Sequence, residues 1–251
     1  MDTTPTPLPT ADESANPVKT DELHFNPCPE ATFGVEIELQ ILDRDTGDLA
    51  PGAVRIIKLC EEEKVEGVAA ELMQSMIEVK TGVCKTIEEA RDQLYTRIRK
   101  VRNIASSLGF DLAMASTHPF HRTGTSSIYP DQRYEKISDR LAWLTYQRVM
   151  FGLHVHVGMP NDDVAIELMN VARYILPHLL ALSSSSPFWM GRNTGFKSYR
   201  ASIFSNFPRT GIPPSFHSAS EFQSYINLLI NTHSIDNGKK IWWDLRPHPV
   251  F

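Results

Sequence analysis

The sequence is poor in cysteine, with three among 251 residues. Cys28, Cys60 and Cys84 lie too far apart for a C-x-x-C zinc or redox motif. An odd and sparse set also argues against a secreted domain held together by disulfides. The cysteine content therefore predicts a protein of the reducing cytoplasm.

Segments that would direct the chain to a membrane are also lacking. The first ten residues, M-D-T-T-P-T-P-L-P-T, contain neither a basic region nor an apolar run, which excludes an ordinary secretory signal. The longest apolar stretch, residues 171–182, is interrupted by Arg173, Pro177 and His178 and is too short to cross a bilayer. The sequence predicts a soluble protein with no membrane partner.

An excess of positive charge is missing too. Lys and Arg number 25 and Asp and Glu number 30, so the net charge is 25 − 30 = −5. No strongly basic face is implied, and nucleic acid is not an expected partner. Four common signatures are absent: G-x-x-x-x-G-K-[ST], H-E-x-x-H, G-x-S-x-G and G-x-G-x-x-G. If the protein uses ATP, it does not hold it in a P-loop.

The length of the chain allows one large domain with a sizeable core. Residues 1–31 are rich in Pro, Thr, Asp and Glu, and such a segment buries too little apolar surface to offset its ordering entropy. We therefore predict a flexible N-terminal tail over residues 1–31 and one folded domain over residues 32–251.

Hydrophobic periodicity predicts both strands and helices after the tail. Residues 32–42 alternate between apolar and polar side chains, which is typical of a strand. The clearest helix covers residues 86–108, where Thr86 and Glu89 form a capping box. Further strands are predicted over 110–116, 151–158 and 241–245, and further helices over 51–64, 134–150, 161–183 (bent at Pro177) and 218–232. The pattern favours an α+β fold with a largely antiparallel sheet that has one open face.

Glu36 and Glu38 stand two residues apart on the first predicted strand. Their side chains point to the same face, about 7 Å apart along the backbone. Neighbouring carboxylates repel each other, and a divalent metal is one reason for them to coexist on a covered face. The alternative is a solvated polar face.

His154 and His156 show the same spacing on the strand F-G-L-H-V-H-V-G, between Gly152 and Gly158. Both imidazoles project to one face, and the glycines allow another backbone or a ligand to come close. The pair is interpreted either as metal ligands or as hydrogen-bonded histidines at a sheet edge.

Glu71 and Glu78 flank an otherwise apolar segment, L-M-Q-S-M-I, that leads into a second predicted strand. A carboxylate in this position is either solvated or part of a site. After Pro187, a glycine-containing loop carries Arg192, Lys197 and Arg200. These cations suit a phosphate or carboxylate group, or simply form a basic surface.

Another polar group, His118 and His121 with Arg122, follows the predicted strand over residues 110–116. The sequence assigns no role to this group.

Seven segments follow one another in the order typical of one enzyme family. They are G-V-E-I-E-L-Q (34–40), E-L-M-Q-S-M-I-E-V-K-T-G-V-C (71–84), T-H-P-F (117–120), G-L-H-V-H-V-G (152–158), S-P-F-W-M-G (186–191), T-G-F-K-S-Y-R (194–200) and R-P-H-P (246–249). Over residues 33–251 the chain resembles the ATP-dependent carboxylate–amine ligases related to glutamate–cysteine ligase (γ-glutamylcysteine synthetase type 2).

The resemblance implies a glutamine-synthetase-like fold, in which an antiparallel sheet curves into a funnel with helices outside. It implies ATP and Mg²⁺ (or Mn²⁺) as cofactors and small-molecule substrates, namely glutamate or a similar carboxylate and cysteine or another amine. The implied reaction forms an amide through an acyl phosphate, with weak glutamate–cysteine ligase activity. A homodimer is the implied assembly.

The resemblance also implies roles for individual residues. Arg200 corresponds to an arginine close to an anionic substrate group and is the predicted catalytic residue. Arg192 and Lys197 are the predicted nucleotide-binding residues because their glycine-containing basic loop suits phosphate. His156 occupies a more variable position than His154. The predicted metal-binding residues are Glu36, Glu38, Glu71, Glu78, His154 and His156.

The chain departs from the family pattern at its end. The pattern continues after R-P-H-P-V-F into G-T-V-E-V-R, a strand with another metal carboxylate and a substrate-binding arginine, whereas this sequence stops at Phe251. We therefore expect a domain that is incomplete at its C-terminus, with little activity alone. Two alternatives stay open: a zinc-dependent hydrolase that uses the H-x-H pair, and an inactive truncated remnant that binds nucleotide.

Overall fold

The structure, a computed structural model, describes residues 25–248. Most of the predicted tail over residues 1–31 lies outside the described residues. Within its last part, the Cys28 backbone N–H donates a hydrogen bond to the Met159 carbonyl at 2.7 Å. Residues 25–31 have no helix or strand, and the first strand begins at Phe33.

The strands are short apart from the first. They are β1 (Phe33–Asp43), β2 (Val68–Ala70), β3 (Met76–Lys80), β4 (Phe110–Ala113), β5 (Leu153–Val157), β6 (Phe188–Trp189), β7 (Arg192–Asn193), β8 (Thr210–Gly211) and β9 (Trp242–Trp243). The helices are α1 (Ala53–Glu62), α2 (Ile87–Ser107), α3 (Gln132–Leu141), α4 (Trp143–Tyr146), α5 (Asp162–Ala172), α6 (Leu176–Leu182), α7 (Tyr199–Phe204) and α8 (Ala219–Asn231). The predicted α+β class is confirmed.

β1 is the central strand of a five-stranded antiparallel sheet. One of its edges pairs with β3, and β3 in turn pairs with β2. Its other edge is divided: the first half pairs with β5 and the second half pairs with β4. The sheet therefore forks on that side, between Gly152 and the end of β4.

The two faces of β1 differ as its alternating sequence predicts. Leu39 and Ile41 are 1% and 0% exposed and pack in one core with α1 and α2. Burying a side chain of this size contributes about 1.5–3 kcal/mol, so the strand is held firmly from this side. Because side chains alternate along a strand, Glu36 and Glu38 point away from this core.

Helix ends confirm some predictions and correct others. Thr86 caps α2, accepting a hydrogen bond from the Glu89 N–H at 3.2 Å. The helix predicted over residues 134–150 is instead two helices, because Ala142 has a φ of 47° and interrupts it. The bend predicted at Pro177 lies before it, since Pro177 belongs to the first turn of α6, where a missing N–H costs nothing.

A second core joins α5, α8 and β9 and includes Phe222, Ile226 and Trp243. It holds β9 beside β8, the two strands pairing in parallel. Among residues 25–248, no single helix has the length and apolar character to cross a membrane. The helices α5 and α6 have that length and apolar character only when they are taken together, and this pair is bent by 65°.

Candidate metal and anion site

The open face of the sheet gathers acidic and basic side chains from three strands. Glu36 of β1 lies between His154 of β5 and Lys80 of β3, its direct neighbours in the sheet. Glu38 lies opposite Glu78 of β3. Pairing of three antiparallel strands thus collects residues that are more than a hundred positions apart in sequence.

Distances define a compact group within this face. Ligand atoms of Glu36, Glu78 and His154 all lie within 4.8 Å of one another. Glu36 Oε2 is 3.3 Å from His154 Nδ1 and also 3.3 Å from His156 Nε2. Lys80 Nζ is 3.3 Å from Glu78 Oε1. We call Glu36, Glu38, Glu71, Glu78 and His154 the acidic cluster.

Charge is unevenly balanced within the acidic cluster. Hydrogen bonds from His154 and His156 lower the pKa of Glu36 well below its usual range. The hydrogen bond to Glu36 raises the pKa of His154. Burial and the nearby Glu36 carboxylate raise the pKa of Glu78, even though Lys80 opposes this shift. A further cation would therefore stabilise the ionised cluster.

Glu71 follows β2 and lies at the edge of the acidic cluster. Burial, followed by repulsion from Glu38 and Glu78, raises its pKa to about 7. Its Oε2 accepts a hydrogen bond from the Leu72 N–H at 3.2 Å. Glu71 is not among the three residues whose ligand atoms converge, and its place as a metal ligand stays a prediction.

Gly152 connects the acidic cluster to a basic side. Its N–H donates a hydrogen bond to Glu38 Oε2 at 2.6 Å, and its carbonyl accepts one from the Glu38 N–H at 3.1 Å. A Cβ at this position would lie 3.4 Å from both Glu38 Oε2 and Arg200 Nη2. The close approach predicted for this glycine is made by Glu38 and Arg200.

Arg200, the predicted catalytic residue, lies on α7 beside Glu38. Its guanidinium stacks over the Phe204 ring, 5.1 Å from the ring centroid. Burial lowers its pKa, while Glu38 and then Asp244 oppose this shift. Its Nε is buried and has no hydrogen-bond partner among the described residues.

Arg192 and Lys197, the predicted nucleotide-binding residues, are placed differently. Arg192 lies on β7 and Lys197 on the loop that follows, and both are exposed. Within residues 25–248 no hydrogen bond or ion pair joins either side chain to the acidic cluster. Their role in nucleotide binding stays a prediction.

Sequence reasoning missed two basic residues near the cluster. Lys80 follows Glu78 by two residues on β3, so the period of the strand was a signal that placed it on the same face. Arg148 lies just before β5, and attraction to Glu71 and Glu38 opposes the lowering of its pKa by burial. Its aromatic neighbours, Phe207 and Trp242, are too distant in sequence to have given a signal.

The structure gives His118 and His121 a structural role. Asp48 Oδ1 accepts a hydrogen bond from His121 Nδ1 at 2.6 Å, and His121 Nε2 lies 2.9 Å from Ser126 Oγ. His118 Nε2 donates to the Gly47 carbonyl at 2.9 Å. The pair ties the turn after β1 to the loop after β4.

The residues of the acidic cluster fit a hard divalent cation. Two carboxylates and one imidazole converge, and oxygen-rich ligand sets suit Mg²⁺ or Mn²⁺ better than zinc, which prefers nitrogen and sulfur. The His154 side chain is 50% exposed, so the group is open to an ion from solution.

Comparison with known proteins places this geometry in a family context. Residues 32–251 match the family described as Glutamate-cysteine ligase family 2 (GCS2). A protein of Chloroflexus aggregans named "Putative glutamate--cysteine ligase 2" is 54% identical over 220 residues, 88% of this chain and 56% of that protein. A protein of the same name from Roseiflexus castenholzii is 53% identical, over 88% of this chain and 58% of that protein. The chain spans little more than half the length of these relatives.

One solved structure shows a similar fold. A bifunctional glutathione synthetase from Pasteurella multocida aligns with a TM-score of 0.62 and 15% sequence identity. The alignment covers 87% of this chain and 32% of that protein. At this identity the likeness concerns the fold alone, and it agrees with an antiparallel sheet backed by helices.

Proposed function

The chain belongs to glutamate–cysteine ligase family 2, and from this premise we propose that it is the sheet-bearing part of an ATP-dependent carboxylate–amine ligase. Its substrates are a carboxylate such as glutamate and an amine such as cysteine. The observation that carries the proposal is the convergence of Glu36, Glu78 and His154 within 4.8 Å, with the half-buried Arg200 near the neighbouring Glu38.

The proposed reaction has two displacements. The side-chain carboxylate of glutamate attacks the terminal phosphorus of ATP, so that ADP leaves and an acyl phosphate forms. The amine then attacks the acyl carbon, phosphate leaves, and the amine loses a proton to give the amide. Both displacements concentrate negative charge on oxygen, so catalysis here consists mainly of positioning and charge compensation.

The residues of the chain divide this work between two sides. Glu36, Glu78 and His154 would hold the cation, with Glu38 and Glu71 adding negative charge around it. With a divalent cation bound, these residues would supply charge compensation for phosphate oxygens. On the other side, Arg200 faces the cluster across Gly152 and orients an anionic substrate group through its planar fork of N–H donors.

The two alternatives predict different ligands. Catalytic zinc sites commonly hold the metal through two or three nitrogen or sulfur ligands, whereas the converging donors here are two carboxylates and one imidazole. His156 is 3.3 Å from the same Glu36 oxygen that His154 contacts, which ties both rings to one carboxylate. The donor set therefore favours the ligase, and an inactive remnant that binds nucleotide stays open.

The experiment is an ADP-release assay on purified protein with ATP, Mg²⁺, L-glutamate and a panel of amines that begins with cysteine. We expect release that requires both glutamate and an amine. Glu36→Gln should reduce it to background, because the amide removes the charge that the cation needs. Glu62→Gln, on the exposed surface of α1, should leave it unchanged.

Other results would assign the protein elsewhere. Nucleotide binding without any turnover would support the inactive remnant. Stoichiometric zinc that survives chelation would support the hydrolase. Equal ADP release by the wild-type protein and Glu36→Gln would contradict the assignment of the acidic cluster.

A further inference from the structure

Arg148 lies in an ordered segment of the chain just before β5. Its backbone N–H donates to the Thr145 carbonyl at 3.0 Å, and the next residue, Val149, is 1% exposed. His154 on β5 follows Val149 by five residues. A side chain at position 148 is therefore held in a constant relation to the acidic cluster.

Two aromatic rings lie beside the Arg148 guanidinium. Its Cζ lies 5.6 Å from the centroid of the Phe207 ring and 5.1 Å from that of the Trp242 ring. Arg200 has a similar environment, 5.1 Å from the Phe204 ring. A guanidinium held close to an aromatic ring can still donate its N–H groups to an oxygen ligand.

Neither guanidinium is neutralised by the protein at close range. Among residues 25–248, the Arg148 side chain takes part in no hydrogen bond or ion pair, and Arg200 Nε is buried without a partner. The Phe204 and Phe207 rings, over which Arg200 and Arg148 lie, have centroids 6.1 Å apart, so the two guanidinium groups are neighbours. Burial lowers the pKa of both groups, and repulsion from Arg200 contributes to the shift at Arg148. Two neighbouring cations without direct partners are costly unless an anion joins them.

The nearby carboxylates do not supply that anion. Glu38 accepts the Gly152 N–H at 2.6 Å, which commits one of its oxygens. Glu71 Oε2 accepts the Leu72 N–H at 3.2 Å, and among residues 25–248 no ion pair joins Glu38 or Glu71 to either arginine. The site thus has crowded carboxylates on one side and two guanidinium groups without a direct carboxylate partner on the other.

We propose that Arg148 and Arg200 together bind one anionic oxygen group of a substrate, a carboxylate or a phosphate, as a two-arginine subsite. Arg148 is the positioning residue that the sequence and the family resemblance leave unassigned. The identity of the ligand rests on the proposed function, because the substrates of a carboxylate–amine ligase carry both kinds of group. The anion would reduce the repulsion between the two cations and lie beside the acidic cluster.

The test is isothermal titration calorimetry on the purified chain without nucleotide or metal, with L-glutamate in one arm and inorganic phosphate in the other. We expect the wild-type protein to bind at least one of them. Arg148→Lys should weaken that binding about tenfold or more, because an ammonium keeps the charge but loses the fork of donors. Arg148→Gln should weaken it further.

Matched measurements separate binding from folding. Arg140→Lys is the control, since Arg140 is exposed and pairs with Asp236 at 3.0 Å. The thermal midpoint and the Mn²⁺ affinity of Arg148→Lys should equal those of the wild-type protein, whereas a purely structural role would lower the midpoint. A loss confined to glutamate identifies a carboxylate subsite, and a loss confined to phosphate identifies a phosphate subsite.

Two results would overturn the inference: unchanged affinity for both anions in the two Arg148 variants, or no binding of either anion by the wild-type protein. Failure of the proposed function would look different. Anion binding that depends on Arg148, without ADP release for any amine, would retain the subsite and remove the ligase activity.

Discussion

Two groups of histidines and carboxylates in this protein have similar composition but differ in burial and in the length of their contacts. In the loop group, His118 and His121 are 3% and 7% exposed, and His121 lies 2.6 Å from Asp48. In the strand group, His154 and His156 share one oxygen of Glu36 at 3.3 Å, and the His154 side chain is half exposed.

The difference lies in how completely protein atoms satisfy each group. Both ring nitrogens of His118 and of His121 have protein partners, so the loop group is complete and needs no ligand. The strand group has long contacts, several repelling carboxylates and access to solvent. Short saturated contacts therefore mark a structural link, and long contacts beside excess charge mark a place for an ion.

Glu36→Gln should give the largest effect, because it removes the carboxylate that both strand histidines contact. We expect the affinity for Mn²⁺, measured by calorimetry, to fall by about 100-fold or more, while the fold is retained. Glu62→Gln is the matched control. An unchanged Mn²⁺ affinity would remove the distinction between the two groups.

His121→Ala tests the loop group and should come next in size. Loss of its contacts to Asp48 and Ser126 should lower the free energy of unfolding by about 1–3 kcal/mol in a urea titration. Mn²⁺ affinity should stay the same. His217→Ala, at an exposed position, serves as the control, and the comparison fails if both variants unfold at the same urea concentration.

His154→Ala should show the reverse behaviour with a smaller effect. A neutral imidazole adds less than a carboxylate to the binding of a cation, so we expect about a tenfold loss of Mn²⁺ affinity. The urea midpoint at pH 7.5 should change little, because the side chain is half exposed. A large loss of stability with normal metal binding would show that His154 is structural as well.

The pH dependence of stability should give the smallest effect, with opposite signs in the two groups. Burial lowers the pKa of His118, so the unfolded state takes up protons first and stability falls as the pH drops below about 6.5. The hydrogen bond to Glu36 raises the pKa of His154, so its contribution is present at low pH and lost as the pH rises through the folded pKa.

Thermal midpoints between pH 5.5 and 7.5 measure these two contributions. His118→Gln should make the acid-side decline shallower, whereas His154→Gln should make it steeper. Parallel curves for both variants and the wild-type protein would indicate that neither histidine contributes to the pH dependence.

Local patterns in the sequence correctly predicted features that depend on neighbouring residues, such as strand alternation and helix capping. Alternation in residues 32–42 placed Glu36 and Glu38 on the face opposite Leu39, and the capping box at Thr86 placed the start of α2. Glu36, Glu78 and His154 do lie together, because β1 pairs with β3 on one edge and with β5 on the other.

What the sequence did not predict depends on contacts between distant segments. The break at Ala142 has no signal, since alanine rarely adopts a φ of 47°. The link between Asp48 and His121 spans 73 positions, and the rings on Arg148 come from two other segments. Neither Asp48 nor Arg148 stands in a motif that distinguishes it from a surface residue.

The missing side chain at Gly152 has a consequence for how the site responds to change. A single methyl group there would touch an acid and a base at once, at 3.4 Å from each, and would take solvent away from both. Alanine at this position would disturb the cation side and the anion side by comparable amounts. Gly152, beside the fork in the sheet, is thus a position where one substitution would affect both halves of the site.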